Sequence, residues 1–340
     1  MTYKTGANVS IAIGTSGTWA TADALTTGDK LVHNSLTHNR SPEELTITGI
    51  GSGAEMTSES AQGATTPVIS GELVPGYNDA TGQLIANFFQ GESISGTAGS
   101  GYTHSFVHGG FNQKFATIAA TPVANSVMEA ATAAITRLQM SFQNPPNYAT
   151  LSYDALCDDI KYTGTTNSYA TVEATTVANT KRIFAKAADT VVISGQTFPV
   201  TGVDIVLTKE QASAREMKGS SGNGSPIPSG DPPFTGTVTV TFKSWDDHTF
   251  FSGAAADTTY TMITTHTGDV ISGSSNEYHL IWRFPALKII EQPQSDLTTG
   301  AVNPLSVTFK CIYASSLPSG MYSLYPHCLL RNERSTIYFS

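Results

Sequence analysis

Thr237-Val-Thr-Val-Thr-Phe242 alternates hydroxyl and apolar side chains, so Val238, Val240 and Phe242 share one face. Successive side chains of a strand point to opposite sides, and β-branched and aromatic residues suit a half-buried pleated surface. The segment therefore reads as a strand with one dry face. The same period recurs in Thr190–Ile193, Val203–Leu207, Leu280–Phe284 and Leu305–Tyr313. Helical periodicity is scarce. One candidate runs from Asp79 to Gln90, with Asp79 as cap and Leu84, Ile85, Phe88 and Phe89 on one face. A second, from Asp246 to Ala254, carries Phe250 and Phe251. The Ala-rich stretch Asn125–Ile135 reads as helix or loop. The pattern predicts an all-β protein with minor α content: two tandem β-sandwich units, each flanked by a short helix.

The 340 residues leave room for about two domains, without need of disulfide staples. Only 13% of residues are charged, against roughly 25% in average soluble domains. Thr, Ser, Gly and Ala fill the difference. Such a surface is solvated by hydroxyls more than by ions, as suits a β protein largely covered by partners. A net charge of −9 argues against gripping nucleic acid, where Lys and Arg supply most of the affinity. Cys157, Cys311 and Cys328 form no CxxC pair and read as three reduced thiols in a protein assembled in a cytosol. No stretch approaches the roughly 18–20 apolar residues of a membrane span.

A weak internal repeat organises the chain. Glu43–Gly49, Pro67–Val74 and Tyr77 before Asp79 open one copy. Ala188–Gly195, Phe234–Phe242 and Trp245 before Asp246 open the other. Each then has an acid-capped helix and an aromatic strand, Gly101–Val107 or Thr259–Ile263, and ends with a strand, a proline break and a long strand. Arg137 and Arg283 fall at similar points. The expected division is residues 1–165 and 166–314 as two β domains, with 315–340 as a C-terminal extension.

The order of these segments resembles that of tail tube (major tail) proteins of long-tailed bacteriophages, in a tandem-duplicated form. The residues that carry the likeness are Val9–Gly14 before Thr18-Trp19, Glu44–Gly51, Gly71-Glu72-Leu73 feeding the Asp79 helix, Tyr102–Phe106 and Pro304–Phe309. It covers roughly residues 5–315. The resemblance implies a virion protein, assembled in the host cytoplasm, whose sheets join between subunits into a β-lined ring. Rings stack into a channel for genome passage. Duplication implies three chains with pseudo-sixfold symmetry in place of a hexamer. Expected partners are other copies, the tape measure and other tail proteins, with DNA only in transit. The length and the tail after Tyr313 depart from a single-domain tube protein.

Lys209 to Pro233 is rich in Gly, Pro and Ser and reads as an extended loop with no core of its own. The resemblance makes it an inter-ring arm. Met217, Ile227 and Phe234 are its expected anchors, and Lys209, Glu210, Arg215, Glu216 and Lys218 its register-setting charges.

Catalytic and metal-binding patterns are weak. His104 and His108, four apart, have no third ligand nearby and read as partly solvated strand residues, as do His33 and His38. Asp158-Asp159 and Asp246-Asp247 end strand patterns and read as caps or turns in place of an acid pair. There is no GxSxG elbow. Gly51-Ser-Gly53 lacks the rest of a phosphate loop, and Glu55 and Glu59 lack a basic partner. Trp19, Trp245 and Trp282 read as packing residues. No enzyme activity, cofactor or metal is expected. Two other readings share the composition: a capsid-decoration or carbohydrate-binding virion protein, and a polysaccharide-degrading β-enzyme with an acid pair in a cleft.

Overall fold

A computed structural model describes residues 9–39, 42–48, 57–65, 67–110, 114–143, 145–176, 181–186, 189–214, 224–228, 235–243, 251, 258–290 and 305–338. The first part of the chain forms β1 (Ile11–Ser16), β2 (Lys30–Leu31), β3 (His33–Asn39), β4 (Pro42–Thr48), β5 (Thr57–Thr65), β6 (Val68–Leu73), α1 (Thr81–Phe89), β7 (Gln90–Thr97), β8 (Gly101–His108), β9 (Phe115–Ala120), β10 (Met128–Gln143), β11 (Asn147–Tyr148) and β12 (Thr150–Cys157). After α2 (Tyr169–Ala174) and β13 (Phe184–Ala185) come β14 (Thr190–Ile193), β15 (Gln196–Phe198), β16 (Val200–Thr208), β17 (Gln211–Ala214), β18 (Gly224–Pro228), β19 (Thr235–Phe242), β20 (Tyr260–Val270), β21 (Glu277–Ile289), β22 (Leu305–Cys311) and β23 (His327–Asn332). Among the described residues the protein is mostly antiparallel β, with two short helices, α1 and α2.

The strands follow one pairing order twice. In the first half β1 pairs with β9, β9 with β10, β10 with β12, β12 with β6 and β6 with β3. In the second half β14 pairs with β20, β20 with β21, β21 with β22, β22 with β19 and β19 with β16. Each half also carries a hairpin between the second and third of these strands in chain order, β4–β5 between β3 and β6 and β17–β18 between β16 and β19. This order corrects two correspondences read from sequence. The partner of β20 in the order is β9, with the β7–β8 hairpin lying between α1 and β9 in the first half. The counterpart of β4 is β17, where the sequence reading paired Glu43–Gly49 with Ala188–Gly195.

Where the halves meet, β10 pairs with β16 from Arg137–Thr208 to Gln143–Gly202. The result is one continuous eight-stranded antiparallel sheet, ordered β3-β6-β12-β10-β16-β19-β22-β21. One face is apolar: Leu138, Met140, Leu151, Tyr153, Ile205, Val238, Val240, Val307 and Phe309 are each at most 1% exposed. The Ala-rich stretch, read as helix or loop, is the start of β10, running from Met128. Alanine favours helix in isolation, yet Ala130, Ala131, Ala133 and Ala134 are buried between neighbouring strands, so packing overrides propensity.

Helix α1 begins at Thr81, two residues later than the sequence suggested, with Ala80 in place of Asp79 at the N-cap, and Asp79 Oδ1 accepts from the Thr81 N–H at 2.9 Å. Leu84, Ile85, Phe88 and Phe89 are fully buried as expected, but so is every other residue of the helix. A helix buried on all sides must place its polar groups inside the fold; here the amide donors find partners, while Gln83 Oε1 and Asn87 Oδ1 have none. Gln83 donates to Asp29 Oδ1 at 3.1 Å, and Asn87 donates to the Gln83 carbonyl at 2.9 Å. In the second candidate helix Phe251 is helical and buried among Phe198, Phe242, Tyr260 and Phe309; Phe250 lies outside the described residues.

The C-terminal segment is built into the fold. β23 lies between β21 and β8. Tyr338 sits where a Cβ on Gly82 would be, its ring carbon 2.1 Å from that position, so α1 carries a glycine despite its poor helix propensity. The three cysteines are free and buried.

Candidate functional site: an open polar sheet face

The other face of the eight-stranded sheet has no layer over it among the described residues. Period two places there Ser70 and Glu72 of β6, Ser152 and Asp154 of β12, and Arg137, Gln139 and Ser141 of β10. Across the junction it continues with Asp204 of β16, Thr237, Thr239 and Thr241 of β19, and Ser306, Thr308 and Lys310 of β22. The registers bring these residues into cross-strand rows. Ser70 Oγ donates to Asp154 Oδ1 at 2.6 Å, and Arg137 meets Asp154 Oδ2 at 3.4 Å. Arg137 also donates to Gln139 Oε1, and Gln139 Nε2 donates to Asp204 Oδ1 at 3.2 Å. Thr239 and Thr308 pair through their hydroxyls at 3.1 Å, and Thr241 and Ser306 at 3.3 Å. Such rows add sheet stability without apolar cover.

Electrically the face is nearly balanced. Glu72, Asp154 and Asp204 stand against Arg137, Lys310 and Lys288, and apart from Val206 hydroxyls and amides fill most of the rest. Chemically this surface can be wetted and can pass a polyanion without holding it, because it offers few cations to replace counterions.

The residues singled out from sequence fall in several places. His104 is fully buried, which corrects its reading as a solvated strand residue. Its Nδ1 lies 2.8 Å from Glu92 Oε1, and its Nε2 lies 3.1 Å from Asn332 Oδ1. His33 lies 3.0 Å from the Tyr153 hydroxyl, and burial pushes its ring down to about 4. Asp158 accepts from the Thr132 N–H at 3.0 Å, the turn role expected of it. Trp282 is fully buried and Trp19 packs on Phe115. Trp245, Asp246, Asp247, Gly51–Gly53 and Glu55 lie outside the described residues. Among the described residues no group of three or more His, Cys, Asp or Glu is placed to hold a metal. Nor is any helix among the described residues long and apolar enough to cross a membrane.

Of the 209–233 segment, β17 and β18 form a short hairpin. Arg215, Glu216, Met217, Lys218 and Phe234 lie outside the described residues, as does the Ile227 side chain; Glu210 is exposed. Lys209 is not a surface charge. It is 5% exposed, with Nζ 2.9 Å from the Phe88 carbonyl at the C-terminal end of α1. There it answers an orphan carbonyl and the negative end of the helix dipole. Burial lowers its ammonium from 10.5 to about 8. The folded state thus releases this proton before the unfolded chain does, and the group adds stability as pH rises from about 8 towards 10.5. Cys157, Cys311 and Cys328, all raised by burial, act oppositely over the same range. Comparison with Lys209→Met isolates the lysine. Urea denaturation across that range should show the wild type gaining stability relative to the variant, and parallel curves would refute the assignment.

An all-β chain with a large antiparallel sheet and a polar open face has the make-up of a structural protein. A family model described as "Phage tail tube protein" matches residues 6–311, and the chain belongs to that family. It is a structural component of the phage tail. No curated protein matches it significantly.

Proposed function

We propose that the chain is a tandem duplication of a tube domain, with residues 1–165 and 166–314 as its units, and that copies close into stacked rings around a channel for genome passage. The observation that carries this reading is the β10–β16 junction. It joins two equivalent four-stranded units edge to edge. Repeating it between chains brings the free edge of β3 against the end of β21 beyond its pairing with β20, from Lys288 and Ile289, in the next copy. Three copies of the eight-stranded sheet then make a ring of 24 strands with no open edge. The polar face lines the channel, and its near-neutral hydroxylated surface lets DNA slide. In this reading the protein acts by shape.

Ser35→Lys/Thr37→Lys tests the edge. Both positions are exposed on β3, so the chain should fold with unchanged stability, and the added charges should block pairing. Negative-stain images of the wild type at high concentration should show hollow tubes, and those of the variant none. Normal tubes from the variant would remove β3 from the ring seam.

We also propose that the β17–β18 hairpin, with β4–β5 as its counterpart, reaches the next ring. Thr208 pairs with Thr235, so residues 210–234 can be replaced by one glycine while keeping Lys209. Single rings that no longer stack would support the arm, and tubes of normal length would refute it.

A further inference from the structure

We propose that the cavity beside β3 is a socket for a second copy of this chain, filled at the ring seam by the stretch that continues β21. The socket rests on the ring proposed above and is the contact that closes it. The cavity measures about 700 Å³ and is walled by residues of β1, β2 and β3.

The second half carries the same cavity at the seam inside the chain. There about 310 Å³ lies against β14, β16 and β20. The registers match the walls position by position. Ile11 faces Leu31 as Val191 faces Phe198. His33–Leu73 is followed by a slip to Ser35–Glu72, and Val200–Phe242 by the same slip to Gly202–Thr241. Ala120 lies opposite Ile11 and Thr264 opposite Val191, which puts Pro122 and His266 at equivalent places two residues on. Ile11, His33, Leu36 and Pro122 on one cavity thus stand for Val191, Val200, Val203 and His266 on the other.

The two differ in their far wall. In the second half it is Phe142, near the end of β10, and Pro145 just after it. The Phe142 ring lies flat on His266, with centroids 3.5 Å apart. That wall arrives with the β10–β16 pairing. At the other cavity β3 pairs with β6 alone among the described residues, so no such wall arrives. The interior is also less filled: Met128 lies opposite Ala120, where Trp282 lies opposite Thr264. Ile11, Leu31, Leu36 and Met128 are left as apolar surface for an incoming chain. Lys30 and Glu173 cancel, and burial keeps His33 neutral, so the lining selects no ionic ligand. In the next copy the counterpart of β10 is β21. Ile289 lies opposite Phe309 of β22 as Ile135 lies opposite Ala155 of β12, two places before Arg137 opens the seam. By that register the chain after Ile289, which lies outside the described residues beyond Ile290, supplies the missing wall.

The test uses the full-length chain with the photo-crosslinker p-benzoylphenylalanine in place of Val32, a cavity residue that is 37% exposed. Assembled tubes are irradiated and digested with trypsin, and the joined peptides are mapped by mass spectrometry. The expected bond runs to a second copy, in the peptide 289–310, and is absent from dilute, unassembled chain. A bond within one chain, to residues 1–8 for example, or to another part of the second copy would overturn the socket. Leu36→Trp narrows the cavity from a half-buried position. It should raise the concentration at which tubes appear about tenfold, the scale of one overpacked contact, with the melting temperature of the dilute chain unchanged within a few degrees. An unchanged onset would also overturn the socket. Tubes that Ser35→Lys/Thr37→Lys abolishes, with the Val32 bond landing elsewhere, remove the socket and leave the ring. Absence of tubes from the wild type removes both. If Leu36→Trp does not fold, the crosslink decides it.

Discussion

A chain ending at residue 326 is expected not to fold cooperatively. The missing strand, β23, is central. Five residues pair with β21, from Arg283–His327 to His279–Arg331, and five with β8, from Phe106–Cys328 to Tyr102–Asn332. Without it, both neighbours present bare edges and the β7–β8 hairpin loses its attachment. Cys328 and Leu330 are fully buried, and Tyr338 is 2% exposed against α1. A polar network goes too. Asn332 Nδ2 donates to the Tyr77 carbonyl at 2.8 Å and to the Tyr338 hydroxyl at 2.7 Å, and the Tyr338 N–H donates to Glu92 Oε2 at 2.8 Å. Its removal strands the buried His104 and Glu92. Each large buried side chain is worth roughly 2–5 kcal/mol, and whole domains are stable by only about 5–15 kcal/mol. Circular dichroism of the truncated chain should show no sharp thermal transition. A melt within a few degrees of the full chain would show β23 to be dispensable.

Phe88→Ala should cost roughly 3–5 kcal/mol by chemical denaturation. Phe88 is fully buried at the centre of the packing. Its ring stands edge-on to Phe89 at 5.3 Å, and Phe89 in turn meets Trp282 at 6.1 Å, across the two halves. The Lys209 ammonium also lies 5.8 Å from the Phe88 ring centroid, so the cavity left behind would adjoin a buried charge. A loss under about 1 kcal/mol would mean that the surrounding layers close over the gap, which a core packed from three sides resists.

The strands were legible because their signal is local. β19 and β22 show period two over their whole length, and the structure keeps every inward residue named from it. The α1 anchors were legible for the same reason, a hydrophobic cluster at helical spacing behind an acidic cap. The start of β10 was not, because alanine carries no period and its helix preference is weak against burial between β9 and β12. Lys209 was misplaced for a different cause: a cation beside a Gly/Pro-rich loop looks solvated until α1 brings a carbonyl to it. The open polar face was half-legible. Thr237, Thr239 and Thr241 were visible as the wet side of a strand, but nothing local said that Arg137, Asp154 and Asp204 would join them.

By itself, then, the sequence determined which residues alternate, which face of each strand is dry, and that ions play a small part on the surface. These follow from side-chain period and composition, which act over a few residues. Which strands neighbour one another was decided only in the tertiary structure. Backbone hydrogen bonds carry no side-chain label, so β9 and β8 compete equally in sequence as the counterpart of β20, and only the packed layers select. The same holds for β23, whose place between β21 and β8 depends on surfaces more than two hundred residues apart in the case of β8, and for the β10–β16 seam that turns two local patterns into one continuous sheet.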